Sequence, residues 1–198
     1  MSSTWTVSLG LPDRLRPQAA WLYWQAFGPK LGVILGPDAR ALAFLESVIR
    51  ADHVLIATAQ DGGLVGLAGF KSPEGSFAMG DPAALRQVYG PWGSFWRARL
   101  LAWLSSEVDN ANFLIDGICV SPKARGQGIG TALVNGLCAQ AEGRGYPAVR
   151  LDVIATNTGA QRLYRRMGFA QTGVHDIGLL RFVFGFARSV SMVRSLKA

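Results

Sequence analysis

The amino-acid sequence predicts a single α/β domain, 1–198, in which helices flank a central sheet. Three observations support this prediction. The chain has 198 residues, of which 49% are hydrophobic, so it can bury one substantial core. Two strand-like segments joined by Asp61-Gly62-Gly63 are typical of a hairpin. A strand-like segment, a glycine-rich turn and a helix-like segment then follow one another over residues 114–144.

The N-terminal half of the chain alternates between strand and helix patterns. We expect Gly28-Pro29 to end the first helix and Pro37-Asp38 to open the second. The predicted segments are a strand at 4–9, a helix at 15–27, a helix from 37 to about 50, and hairpin strands at 54–60 and 64–71.

Residues 72–111 exceed what a connection between two strands requires, and we interpret them as a helical insertion before the central strand. A short helix begins at Pro82, Gly90-Pro91 interrupt it, and a longer helix covers 94–105. An apolar stripe along the second helix consists of Trp92, Trp96, Leu100, Trp103 and Leu104. The stripe indicates core packing, a dimer face or a wall of a substrate pocket.

The segment RGQGIG, 125–130, is the most informative turn in the chain. It follows a strand that Pro122 ends, and it precedes a helix over 131–144. Glycines let a backbone approach an anion, and the free N–H groups at a helix start point toward it. The turn matches neither G-x-G-x-x-G nor a P-loop. It therefore predicts a pyrophosphate cradle of another kind, with a simple sharp bend as the alternative.

The helix patterns on either side of the next strand indicate which faces are buried. Ile129, Leu133, Leu137 and Ala141 recur every four residues, so this face packs against the sheet. Asn157 is suited to cap a second helix, with Gly168 ending it. Its predicted inward residues are Ala160, Leu163, Tyr164 and Met167. The Tyr164 hydroxyl then needs a buried hydrogen-bond partner or has a reactive role.

Two blocks resemble motifs of the GNAT superfamily of N-acetyltransferases. The first is Arg-x-x-Gly-x-Gly, formed by Arg125, Gly128 and Gly130. The second, over 151–169, contains the strand L-x-V followed by Asn157, Ala160, Leu163, Tyr164 and the closing Gly168-Phe169. Both stand in the expected order and at the expected separation, and together they cover roughly 114–169. The remainder of the chain must be interpreted from its own residues.

The resemblance implies a GNAT fold, with a mixed, mostly antiparallel sheet flanked by helices. It also implies acetyl-CoA as the acetyl-donor cosubstrate, no metal, and direct transfer to a primary amine in a ternary complex. The backbone of 118–120 would bind the pantetheine arm and stabilise the oxyanion. The implied cosubstrate-binding residues are Ile118, Cys119, Val120, Arg125, Gly126, Gln127, Gly128, Ile129, Gly130, Thr131, Asn157 and Tyr164.

The chemistry implied by the resemblance assigns two catalytic candidates. Tyr164 matches the tyrosine near the coenzyme sulfur and would protonate the departing thiolate; a plain core tyrosine is the alternative. Asp116 is the only acid in its strand and would accept the amine proton, usually through water. Strand alternation places it on the face of Ile118 and Val120 unless a bulge intervenes. The alternative for Asp116 is a hydrogen-bonded residue at a strand end.

Other polar and sulfur-containing residues have simpler explanations. Asp152 is expected to pair with an arginine such as Arg150 or to lie solvated at a sheet edge. His53 and His175 are isolated in sequence and indicate structural or surface residues. The cysteines, Cys119 and Cys138, have no metal or CxxC spacing and indicate buried apolar residues in a reducing compartment. A nucleophilic Cys119 is the alternative, although no base-bearing partner is visible.

Composition limits the partners. A charged fraction of 17% argues against disorder. The net charge of +7 comes from basic residues that are scattered along the chain. Binding of a nucleotide cofactor explains part of this positive charge more economically than binding of nucleic acid. We find no signal peptide pattern and no apolar run near the roughly 18 residues of a membrane span. We predict a cytoplasmic protein without nucleic-acid or membrane partners. Nucleic-acid binding and a non-catalytic acyl-CoA sensor module remain the other function classes.

The acceptor is expected to be a small-molecule or peptide amine. The presence of only 13 acids argues against a polycationic acceptor. Two aromatic segments outside the motifs, 92–103 and 179–186, are predicted to line an apolar acceptor site or a homodimer face, with the covering of the sheet as the alternative.

Overall fold

The computed structural model describes residues 4–78, 80–105, 112–178 and 181–196; the side chains at 103–105, 182 and 183 lie outside this description. The strands are β1 Trp5–Leu9, β2 Val54–Ala59, β3 Leu64–Ser72, β4 Gly75–Ser76, β5 Phe113–Val120, β6 Ala148–Ile154, β7 Ala170–Asp176 and β8 Arg188–Ser195. The helices are α1 Arg16–Leu35, α2 Asp38–Val48, α3 Pro82–Ser105, α4 Ile129–Gly143, α5 Thr158–Arg166 and α6 Arg181–Phe184.

The strands form one mixed sheet. Its order is β1-β2-β3-β5-β6-β8-β7, with the two-residue β4 paired to β3 outside this path. β5 and β6 are parallel, whereas the other neighbours are antiparallel. A parallel pair needs a crossover, and α4 supplies it. The predicted fold class, a mixed and mostly antiparallel sheet flanked by helices, is confirmed.

Two hydrophobic clusters cover the two faces of the sheet. The inward face of α4 packs on one of them, and all four residues predicted for this face are buried: Ile129, Leu133, Leu137 and Ala141. Helices α1, α2 and α3 contribute to the other cluster. In the part of the chain that the structure describes, no helix has both the length and the apolar character needed to span a bilayer.

Helix α1 is longer than the sequence predicts. It continues through Gly28-Pro29 and ends at Leu35, so the expected stop at this pair is wrong. A proline inside a helix costs about 3 kcal/mol. The extra turns bury Ile34 and Leu35 almost completely, which offsets that cost by a comparable amount. Gly28 packs closely on Trp24, since an added Cβ would lie 3.0 Å from that ring.

Helix α3 is interrupted where the sequence predicts, because Gly90 has a left-handed φ of 72°. The following turn does not bury its aromatic face. Trp92 is 90% exposed and Phe95 is 67% exposed, so core packing is wrong for the start of the stripe, although Leu100 packs against the core. The side chains of Trp103 and Leu104 are not among those that the structure describes. Arg97 attaches this segment to α1, because its Nε donates a 2.6 Å hydrogen bond to the Ile34 carbonyl.

Candidate active site

The glycine-rich turn has the geometry of an anion cradle. Gly126 and Gly128 have φ of 78° and 81°, and a Cβ added to either would meet nothing within 4 Å. Gly128 precedes α4 without any side-chain cap. The first helical hydrogen bond runs from the Ala132 N–H to the Gly128 carbonyl, so the N–H groups of 129–131 have no helical acceptor. Open space and free donors coincide at the positive end of the helix dipole.

The side chains of the turn have different surroundings. Arg125 and Gln127 are exposed beside the free N–H groups, and the Arg125 Nε donates to the Val120 carbonyl at 3.4 Å. The Ile129 side chain is buried in the core, so this residue can reach an anion only through its backbone. Thr131 is half-buried. The arrangement offers a positive charge and several backbone donors to one phosphate-sized ligand.

Strands β5 and β6 separate along their length. Their pairing covers only Phe113, Leu114 and Ile115 on β5, opposite 149–151 on β6. Residues 117–120 remain paired to β3 on their other side, with Ile118 opposite Ala68. Among the described residues, no β6 partner takes up the outward backbone groups of 117–120. This leaves a cleft lined by peptide N–H and C=O groups, which can bind an extended amide-containing chain.

Helix α5 stands beside the cleft. Asn157 caps it as predicted, because its side-chain oxygen accepts a 3.2 Å hydrogen bond from the Ala160 N–H. A Cβ on Gly130 would lie 3.8 Å from Leu163 and 4.0 Å from Val120. The start of α4, the end of β5 and the middle of α5 therefore meet at one place. The predicted inward residues Ala160, Tyr164 and Met167 pack against the α4-side core.

Tyr164 is held by packing, with its ring 5.9 Å from that of Phe169. Within the described residues, its hydroxyl has no hydrogen-bond partner. Burial raises the pKa of Tyr164 to about 12, since desolvation disfavours the phenolate. The hydroxyl is therefore protonated at neutral pH and remains available as a donor. No described residue supplies the hydrogen bond of a core tyrosine, and the role of Tyr164 as an acid stays a prediction.

Asp116 lies at a β-bulge. Gly69 pairs with Gly117 while Phe70 pairs with Ile115, so Asp116 is the extra residue of β5. Ile115 and Ile118 therefore both belong to the α4 side, three residues apart, and Cys119 packs with the α1 side. The alternation that would place Asp116 with Ile118 and Val120 does not hold, because a bulge, the stated exception to it, intervenes. The bulge turns the carboxylate toward α1, where Ser76 Oγ donates a 2.7 Å hydrogen bond to it.

A cavity of about 490 Å³ opens on this α1 side. It is lined by the ends of the paired stretch on β5 and β6, by α1, and by the segment that follows β7. The polar lining residues are Tyr23, Lys30, Lys71, Asp116, Asp152, His175, Asp176 and Ser189. Phe27, Phe184 and Phe186 form much of the apolar wall. The cavity and the cleft meet at the fork between β5 and β6.

Tyr23 stands next to Asp116. Burial raises the pKa of Tyr23 well above its usual value, and the negative charge of Asp116 adds to this increase. Its ring packs 4.5 Å from that of Phe27. Among the described groups, the Tyr23 hydroxyl has no hydrogen-bond partner. It is a protonated donor beside the candidate base.

The remaining sequence candidates have structural partners. Burial raises the pKa of the Cys119 thiol, which argues against the nucleophile interpretation. Asp152 binds Arg150 at 3.3 Å and accepts a hydrogen bond from Ser191, so pairing is confirmed; the sheet-edge alternative is wrong because β6 is internal. His53 is buried and lies 2.9 Å from both Asp52 and Ser72.

The structure brings several residues to the cavity that sequence reasoning missed. His175, predicted to be a structural or surface residue, is exposed and also lines the cavity. Tyr23, Phe27 and Lys30 come from α1. Ser76 of the short β4 does not line the cavity but holds the Asp116 carboxylate that does. The four-residue spacing of Tyr23 and Phe27 is the one signal in the sequence that links two of them. Within the described residues, no three His, Cys, Asp or Glu side chains form a metal-binding group.

Comparison with known proteins agrees with this architecture. A model of the acetyltransferase (GNAT) family matches residues 17–169. A curated relative, the uncharacterized N-acetyltransferase MJ1207 of Methanocaldococcus jannaschii, is 41% identical over 81 residues, which make up 41% of this chain and 35% of that protein. The chain thus spans about a third of the length of this relative.

Two solved structures illustrate the shared fold. One, described as histone acetyltransferase HPA2 and related acetyltransferase from Corynebacterium glutamicum, has a TM-score of 0.67 and 24% identity, and the alignment covers 98% of both chains. The other is assigned as a streptothricin acetyltransferase from Bacillus anthracis and contains acetyl coenzyme A; its TM-score is 0.51, with 16% identity over 76% of this chain and 67% of that one.

Proposed function

Because the chain belongs to the acetyltransferase (GNAT) family, we propose that it transfers an acetyl group from acetyl-CoA to a primary amine. The observation that carries this proposal is the separation of β5 from β6, which joins the anion cradle to the cavity beside Asp116. The two substrates would enter from opposite sides of the sheet. This arrangement supports direct attack in a ternary complex, because both substrates would reach the fork between β5 and β6.

The residues of the cradle and cleft fit acetyl-CoA. The free N–H groups of 129–131, with Arg125 and the backbone at Gly126, Gln127 and Gly128, would hold the pyrophosphate. The unpaired backbone at Ile118, Cys119 and Val120 would bind the pantetheine arm and orient the thioester carbonyl. Asn157 would act through the helix it caps, because that cap positions Tyr164.

Bond making and breaking then require two proton movements. The amine nitrogen forms a bond to the acetyl carbonyl carbon, and the bond from that carbon to the coenzyme sulfur breaks. Asp116 accepts the amine proton, directly or through water, and Tyr164 donates a proton to the departing sulfur. A tyrosine that stays neutral and a carboxylate held by Ser76 provide an acid and a base on either side of the fork.

A coupled assay of free CoA tests the proposed activity. Acetyl-CoA is incubated with the protein and a panel of amines, and thiol release is followed with and without each amine. Amine-dependent release supports the transferase. The alternative, a non-catalytic acyl-CoA-binding module, predicts CoA binding by calorimetry with no release for any amine.

Asp116→Asn is expected to lower kcat/KM for the amine by roughly 100-fold near neutral pH. The loss should be larger at low pH, because fewer amine molecules have already lost their proton there. Asp176→Asn is the matched control, since it removes the same charge from the same cavity. An equal loss at every pH would assign Asp116 a structural role.

The cavity also supports a prediction about the acceptor. Phe27, Phe184 and Phe186 form an apolar wall, which favours a modest-sized amine with a hydrophobic portion. This agrees with the sequence-based prediction for one of the two aromatic segments. The side chain of Phe182 is not among those that the structure describes. No described residue of the other segment, around Trp92, lines this cavity.

We propose that residues 1–198 form one domain. We also propose that this domain dimerises through the exposed aromatic face of α3. Trp92 lies about one helical turn before the adjacent pair Phe95 and Trp96, and all three are exposed. Sedimentation velocity should show a wild-type dimer that Trp92→Ser combined with Phe95→Ser converts to monomer. Trp21→Ser removes an exposed tryptophan elsewhere and should leave the dimer intact. A wild-type monomer at all concentrations would contradict this prediction.

A further inference from the structure

Lys30 is a cation without a protein counter-charge. It is half-buried on α1, and its Nζ lies 5.2 Å from the centroid of the Phe27 ring. Among the described residues, no carboxylate lies within ion-pair distance of it and no hydrogen bond reaches its ammonium group. Burial lowers the pKa of Lys30, because desolvation disfavours the charged form. A buried ammonium in this situation gains stability from any anion that reaches it.

The acidic and basic side chains of the cavity differ in whether they have partners among the described residues. Its acidic residues each have a partner within the described chain: Asp116 binds Ser76, Asp152 binds Arg150, and Asp176 binds Arg188. Lys71, by contrast, resembles Lys30 in having no such counter-ion among the described residues. The cavity therefore offers two ammonium groups to an anion. Asp152 and Asp176 are already paired with arginines, whereas Asp116, whose partner is the neutral Ser76 hydroxyl, can still receive an amine.

Phe27 connects Lys30 to the candidate base. A Cβ added to Gly117 would lie 3.0 Å from Phe27 Cζ, so the ring packs directly over the residue next to Asp116. The Lys30 ammonium approaches the same ring. Lys30, Phe27 and Asp116 thus line one continuous part of the cavity. This arrangement suits a small ligand that carries both an amine and an anionic group.

We propose that the acceptor is a small amino acid with an apolar side chain, whose carboxylate binds Lys30 while its amine faces Asp116. This inference rests on the proposed acetyl transfer and names the substrate class for it. Phe184 and Phe186 would contact the apolar side chain. Lys30 then determines specificity, because a buried unpaired ammonium disfavours an acceptor that lacks the anion.

Two acceptors that share a phenyl ring test the role of the carboxylate. L-Phenylalanine carries it and phenethylamine lacks it. Lys30→Met is expected to raise the KM for L-phenylalanine roughly 10- to 100-fold, the range for a lost contact between charged groups, and to leave the KM for phenethylamine unchanged or lower. Arg86→Met, on an exposed part of α3, removes one positive charge outside the cavity and should change neither value. Lys30→Arg should retain most of the preference.

A measurement on the wild-type protein does not depend on the folding of a variant. 3-Phenylpropanoate, which has the carboxylate and no amine, should inhibit competitively against the acceptor, whereas 3-phenylpropanol should not. Equal inhibition by both, or an equal effect of Lys30→Met on both acceptors, would overturn the inference and leave acetyl transfer standing. Absence of CoA release with every amine would instead remove the proposed function itself.

Discussion

Gly128→Val is expected to abolish CoA binding while the protein remains folded. Gly128 has a left-handed φ of 81°, and a side chain there would enter the open space in front of the free N–H groups of α4. The pyrophosphate would lose at least two hydrogen bonds to charged oxygens, which corresponds to an affinity loss of roughly 100-fold or more. Calorimetric titration with CoA measures this loss directly.

The matched control is Gly145→Val. Gly145 also has a left-handed φ, of 77°, and a Cβ there would likewise meet nothing within 4 Å. It lies after α4, at the opposite end of the helix from the cradle. Both substitutions should cost stability by about 1–2 kcal/mol through backbone strain, whereas only Gly128→Val should affect CoA. Unchanged CoA affinity in folded Gly128→Val would reject the cradle as the pyrophosphate site.

Tyr164→Phe is expected to lower kcat by roughly 10- to 1000-fold with CoA affinity retained. The substitution removes the hydroxyl and keeps the ring that packs near Phe169. Stability should change little, because the hydroxyl has no hydrogen-bond partner within the described residues. A large loss of turnover without a loss of stability would separate a catalytic hydroxyl from a packing one.

Tyr146→Phe provides the comparison for this prediction. Tyr146 also packs against the α4-side core, with its ring 5.4 Å from that of Phe113, and it lies outside the cleft. Tyr146→Phe should have the kcat of the wild type.

The pH dependence of kcat gives a second check on Tyr164. Because burial raises the pKa of Tyr164 to about 12, its acid form persists as pH rises, and loss of this proton should not limit kcat below about pH 11. If Tyr164→Phe turns over at the wild-type rate, Tyr164 only packs.

The positions of the two catalytic candidates, Asp116 and Tyr164, differ in how well the sequence predicts them. Tyr164 lies on a regular helix, where spacing places it inward. Asp116 depends on a single extra residue between two pairs of a ladder, and a bulge has no distinct signature in LIDGICV. One residue of shift moves a strand side chain to the opposite face of a sheet. The contacts of Asp116 on the α1 side, with Ser76 and the cavity that Tyr23 also lines, follow from that shift.

By itself, the sequence determined those features that depend on neighbours within a few residues. The buried face of α4, the Asn157 cap, the hairpin turn and the break at Gly90 all follow from helical spacing, side-chain capping or glycine's access to left-handed φ. The same local rules place Gly128 at the start of a helix with free N–H groups.

The tertiary structure alone decided the features that arise between segments far apart in the chain. Helix α1 continues beyond Pro29 because Ile34 and Leu35 pack into a core that residues distant in the sequence form. The cavity combines Lys30 of α1, Asp116 of β5 and Phe184, which are separated by many tens of residues. Trp92 stays exposed although its stripe is apolar. Local spacing shows which side chains share a face, but the surface that this face meets depends on how the whole chain packs.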